Sequence, residues 1–121
     1  MEKEFAPYEL AVKLKALGFN EPCFAYYRIF DGYPKEYTFG YFDEPKRYES
    51  NIMVFAPTFF QAFRWFRENY ALCIVIKPID DKNLELGYNL LKNGLMMGSY
   101  LTYEEAELAC LQKLIEIVKT K

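Results

Sequence analysis

The side chains that usually carry chemistry are thinly supplied in this chain. It has no histidine in 121 residues. That removes the usual general base near neutral pH, the usual imidazole metal ligand and any Ser-His or Cys-His nucleophile pair. Three cysteines remain, Cys23, Cys73 and Cys110. Their number is odd and no two are close in sequence, so neither a disulfide framework nor a zinc pattern emerges. All three sit in apolar runs and read as small buried hydrophobes in a reducing compartment. Asp80, Asp81, Lys82 and Asn83 bring carboxylates together but lack the spacing of a calcium loop, and they read as a solvated turn. Glycine-rich phosphate loops, dinucleotide fingerprints and nucleophile elbows are missing. Glu107 falls within an apolar helical stripe. It reads as half of a structural ion pair with Arg28, Arg64 or Arg67, with a functional carboxylate as the alternative. The expectation is a chain that is not an enzyme and takes no cofactor and no metal.

Two other constellations could recognise rather than transform a partner. Tyr26, Arg28, Tyr37, Phe39 and Tyr41 make strands that are aromatic with a basic residue interleaved, a composition that can stack single-stranded bases. Arg64, Arg67 and Lys77 would supplement such a face. The alternative is ordinary cross-strand core pairing of aromatics. Net charge weighs on the same side: 15 basic against 17 acidic residues give −2, whereas phosphate binding favours a basic field. Trp65 is the second constellation. It lies on the polar side of an otherwise well-patterned helix, near Gln61 and Glu68, either packed under a neighbouring element or facing a partner.

These residues need elements to hold them. A helix is expected over Pro7–Leu17, with Leu10, Leu14 and Leu17 on one stripe, Gly18 as its C′ residue and Phe19 folding back. Strands follow at Cys23–Phe30, Tyr37–Phe42 and Ile52–Phe55. A turn at Asp31–Pro34 and a polar loop at Asp43–Ser50 separate them. A second helix starts at Thr58, where Thr58 and Gln61 form a capping box. At 100° per residue its buried face is Phe59, Phe63, Phe66 and Tyr70. Leu72–Lys77 is apolar on both faces and reads as a central strand, followed by a turn at Pro78–Asn83.

Leu84–Lys92 and Leu95–Leu101 flank Asn93-Gly94, a strong hairpin signal. A two-residue loop pairs Lys92 with Leu95, Leu90 with Met97, Tyr88 with Ser99 and Leu86 with Leu101. The last helix opens on a second capping box, Thr102 with Glu105. Its wide apolar stripe runs through Tyr103, Ala106, Cys110, Leu114 and Ile117, broadened by Leu108, Leu111, Ile115 and Val118. After the first helix the order is strand, strand, strand, helix, twice. The two later helices share Thr-x-x-(Gln/Glu)-Ala at Thr58–Ala62 and Thr102–Ala106. One reading is a duplicated βββα unit; the other is independent reuse of threonine caps. The fold class expected is α+β, a single domain over 1–121 with three helices packed on largely antiparallel strands.

Three blocks carry a resemblance. They are the second helix with its lead-in, Ala56–Tyr70, the last helix with its cap, Leu101–Lys119, and the stretch Leu17–Tyr27. Together they resemble a family of small uncharacterised proteins from phage and prophage regions of gut Bacteroidales. The resemblance implies a mobile-element origin and a bacterial cytoplasm, and it carries over no functional residue. The charged N-terminus and the lack of a long apolar run also point to a cytoplasmic protein away from membranes. The function expected is a non-enzymatic protein-interaction module, a phage or prophage accessory factor whose partner is another protein or a second copy. The alternative is a single-stranded nucleic-acid-binding protein using the aromatic strands.

Overall fold

The computed structural model describes residues 2–30, 33–46, 53–78, 86–90 and 96–119. The chain is α+β, with three α-helices and two three-stranded antiparallel sheets. It packs as two compact units, Met1–Thr58 and Phe59–Lys121.

In the first unit a 3-10 turn, Glu2–Glu4, leads into α1 (Tyr8–Ala16), then β1 (Cys23–Phe30), β2 (Tyr33–Lys46) and β3 (Met53–Ala56). Pro7 is the N-cap of α1, and its carbonyl takes the Ala11 N–H at 2.8 Å. Gly18 adopts φ +104°, a value that a side chain would strain. The Gly18 N–H then reaches the Lys15 carbonyl at 3.1 Å and the Phe19 N–H reaches that of Leu14 at 3.0 Å. This is a Schellman stop, with Phe19 buried against the last turn as its spacing implied.

β1 is the centre of this sheet, in the order β2-β1-β3. Its register sets Ala25, Tyr27 and Ile29 opposite Tyr41, Phe39 and Tyr37, and sets Ala25 and Tyr27 opposite Ala56 and Val54. Directly opposed residues share a face. On that face Ala25, Tyr27, Val54 and Ala56 form a core with Phe5 and Ala11, and Tyr8, Ile29 and Phe39 pack against it. The Tyr27 hydroxyl donates to the Ala6 carbonyl at 2.7 Å, so the buried phenol is satisfied. Tyr8 stacks on Tyr37 at 4.2 Å and meets Tyr27 edge-on at 5.6 Å. β2 runs well beyond the expected Tyr37–Phe42: Asp43–Lys46, expected in a loop, belong to the strand. A register shift between Cys23 and Ala25 absorbs the extra residues, and an edge strand tolerates Pro45. The expected turn residues Asp31 and Gly32, the remainder of the polar loop at 47–50, and Ile52 lie outside the described residues.

In the second unit α2 (Phe59–Tyr70) is followed by β4 (Ile74–Pro78), β5 (Leu86–Leu90), β6 (Met96–Tyr100) and α3 (Tyr103–Lys119). α2 buries Phe59, Ala62, Trp65 and Phe66. That stripe is turned by about 60° from the expected one, towards Trp65. Phe63 and Tyr70 fall to its margin and are half-buried. α2 stops without a glycine. Ala71 takes φ 55° and its N–H bonds to the Arg67 carbonyl at 3.1 Å, while Leu72 is buried beyond it.

The second sheet is a meander, β4-β5-β6. β4 is therefore an edge strand, which corrects the expectation of a central one, and its residues alternate between half-buried and exposed. The hairpin register also differs from expectation. Tyr88 pairs with Met97 and Leu86 with Tyr100, separated by an irregularity, and Gly98 in this stretch takes φ +75°. The pairing is already two residues from the expected one at the Asn89–Met96 pair, and the irregularity at Gly98 shifts it by one between Tyr88 and Leu86. Leu101, the expected partner of Leu86, lies beyond β6 and is 77% exposed. Asn93, Gly94 and the turn at 79–83, with Asp80 and Asp81, lie outside the described residues.

α3 begins as its sequence implied: Thr102 Oγ1 accepts the Glu105 N–H at 3.1 Å. It buries Ala106, Cys110, Leu111, Leu114, Ile115 and Val118, a wide stripe that packs on α2 and on all three strands. Tyr103, expected at the head of that stripe, is instead exposed. The two sheets differ in order, one centred on its first strand and the other on its second, so the structure does not confirm a duplicated βββα unit. Among the described residues no helix is long and apolar enough to cross a membrane.

Candidate functional site

α2 carries two stripes. One is the buried stripe through Trp65; the other, at i, i+3, i+4 and i+7, is Phe60, Phe63, Arg64 and Arg67. This second stripe forms one wall of a cavity of about 350 Å³. Cys73, Ile74, Val75 and Ile76 also line it, as does Tyr103. Successive side chains of a strand point to opposite faces. A cavity running along a strand's edge is lined by consecutive residues, as Ile74, Val75 and Ile76 line this one. β4 has no hydrogen-bonded neighbour on that side among the described residues. The site is thus a groove with a helix on one side and an open strand edge on the other.

Its lining is apolar with a cationic border. Phe60 is 76% exposed and Tyr103 51% exposed, and Val75 is also exposed. Arg64 and Arg67 are exposed too, and neither forms an ion pair among the described residues. Glu68 lies one turn beyond Arg64 without pairing to it.

On α3, Tyr103, Glu107 and Cys110 follow at i, i+4 and i+7 and share a face. Burial, with the negative charge of Glu107 added, pushes the Cys110 thiol up to about 12. Desolvation likewise raises the Tyr103 phenol above its usual value, with smaller contributions from Glu107 and Cys110. Cys110 is therefore a protonated, packed thiol and a poor nucleophile at neutral pH. Cys23 is also buried. Cys73 departs from the buried reading: it is half-exposed on the groove wall. Among the described residues no cluster of three or more acids, cysteines or histidines could hold a metal ion.

The residues singled out from sequence fall elsewhere. Trp65 is only 6% exposed, with its ring edge-on to Phe66 at 5.0 Å and to Tyr70 at 5.4 Å. It is a core residue, and the interface expected around Trp65, Gln61 and Glu68 loses its anchor. Gln61 is half-buried and Glu68 exposed. The aromatic strand set is divided between the two faces of the first sheet. Tyr26 and Arg28 sit opposite Gly40 and Thr38, whereas Tyr37, Phe39 and Tyr41 sit opposite Ile29, Tyr27 and Ala25 on the core face. Tyr26 covers Gly40 so closely that an added Cβ would come within 2.6 Å of the ring, and it meets Phe42 at 4.6 Å. Of that set, Arg64 and Arg67 alone line the groove. Sequence reasoning missed Phe60, Tyr103 and Cys73. The available signal was the spacing of Phe60, Arg64 and Arg67, a stripe in which a large aromatic accompanies two cations. The chain matches no protein-family model, no curated protein and no solved structure.

Proposed function

We propose that this chain is a non-enzymatic protein-interaction module that seats its partner in the groove between α2 and β4. One observation carries the reading: Phe60 and Tyr103, two large and strongly exposed rings, converge on the same cavity. Exposed apolar surface gathered in a concavity and edged by cations is the ordinary anatomy of a docking site. Arginine and aromatic side chains are also the types that dominate binding energy at interfaces. Self-association is the form of this function in which the partner is a second copy. The resemblance of α2 and α3 to the phage-region family supports an accessory role in a bacterial cytoplasm.

Photo-cross-linking tests it. Benzoylphenylalanine is placed at Phe60, and separately at Phe24, an exposed ring of the first unit. A discrete adduct from position 60 that is absent from position 24 and lost on adding Arg64→Glu is the expected result. Its mass distinguishes a second 14.4 kDa copy from another protein. No adduct from position 60, or equal labelling from both positions, would contradict the proposal.

A further inference from the structure

We infer that the occupant of this groove is a short extended peptide segment bearing acidic residues, bound as an added strand on the free edge of β4. The inference rests on the docking function proposed above and names the partner's chemistry.

Three features converge on it. The first is the edge itself: among the described residues β4 pairs with β5 along one side only, so its other side presents backbone acceptors and, before Pro78, donors. An extended chain satisfies them by continuing the ladder, a recurrent mode of peptide recognition. The second is the wall opposite. α2 lines the cavity opposite β4, and its Phe60 and Phe63 supply apolar contacts for the side chains of a bound strand. The third is charge. Arg64 and Arg67 stand at the border with no ion pair among the described residues. They lie one helical turn apart, about 5–6 Å between Cβ atoms. Alternate residues of a strand are about 7 Å apart and point the same way. Two acids separated by one residue therefore reach both guanidinium groups, each in the bidentate geometry that arginine favours with carboxylates. Lys77, exposed on the same strand, adds to the field. β4 spans five residues, Ile74–Pro78, which sets the length of the bound segment.

The test is a selection from displayed random eight-residue peptides on the whole chain, followed by fluorescence anisotropy with a fluorescein-labelled synthetic copy of the strongest binder. The expected pool carries acid-x-acid spacing among β-branched or aromatic residues. Arg64→Gln with Arg67→Gln then weakens binding about tenfold at low salt, and added salt reduces that difference. Lys119→Gln, sixteen residues beyond Tyr103 and so about 24 Å along α3, leaves it unchanged. N-methylation of successive peptide amides abolishes binding at alternate positions only, because every second N–H of an added strand faces β4. Selected peptides that need Phe60 but carry no acids, or that tolerate N-methylation throughout, overturn the strand-addition inference and leave the docking function standing. An empty selection, or binders indifferent to Phe60→Ser and to both arginine changes, overturns both.

Discussion

The two units use their aromatic residues in opposite ways. In the first, the rings of the core face are partnered by rings, while Phe24 on the opposite face is exposed. Tyr8 lies on Tyr37, Tyr27 meets Phe39 at 5.3 Å, and Phe39 meets Tyr41 at 4.9 Å. Tyr26 covers a glycine. In the second unit a single helix divides its rings. Trp65 and Phe66 are packed inside, whereas Phe60 stands in solvent beside two arginines that form no ion pair among the described residues. A covered ring contributes stability. An open ring beside unpaired charge contributes none to the fold, and recognition accounts for it better than packing does.

The largest expected effects separate stability from surface. Phe66 is fully buried, so Phe66→Ala should cost about 3–5 kcal/mol in urea denaturation. Were the loss under about 1 kcal/mol, the distinction between the two stripes of α2 would collapse. Next comes a contrast between two tyrosines. Tyr27→Phe leaves the Ala6 carbonyl without its buried donor and should cost about 1–3 kcal/mol. Tyr103→Phe, on the groove, should stay within about 0.5 kcal/mol.

Alkaline pH sharpens the same comparison. The Cys110 pKa rises from 9.0 when free to about 12 in the folded chain, so folding favours the neutral thiol. That stabilisation is complete below pH 9 and is lost as pH climbs towards 12. Across this window the native chain should lose about 1.4 kcal/mol per pH unit more than Cys110→Ala does, followed by chemical denaturation at each pH. Equal slopes would mean that the thiol is not desolvated. The smallest effect concerns the end of α2. Ala71 holds φ 55° where a side chain is strained, so Ala71→Gly should raise stability by about 0.5–1 kcal/mol. A destabilised variant would contradict a left-handed Ala71 at the end of α2.

Local signals were legible in the sequence wherever one residue decides the local geometry. Gly18 and Phe19 specified the stop of α1, Thr102 and Glu105 the start of α3, and Cys23–Phe30 was legible as a strand with those bounds, though not as the central one. What escaped was set by packing between elements. The run Phe59–Phe66 is aromatic around much of its circumference, so periodicity alone could not say which rings face inward, and the stripe was placed about 60° away. Leu72–Lys77 is apolar enough for a central strand, yet strand order made it an edge. The hairpin departs from a two-residue loop already at the Asn89–Met96 pair, where the pairing is two residues from the expected one, and the irregularity at Gly98 then shifts it by one. The groove was hidden for the same reasons. It exists because β4 is an edge and because α2 turns Phe60 outwards, and neither fact is local.

Amide hydrogen exchange with and without the selected acidic peptide is the most direct measurement. Slowed exchange in Ile74–Pro78, with Cys23–Phe30 in the first unit unchanged, is the result expected of a strand added to β4. Protection that spares Ile74–Pro78, or that rises equally in both sheets, would contradict it.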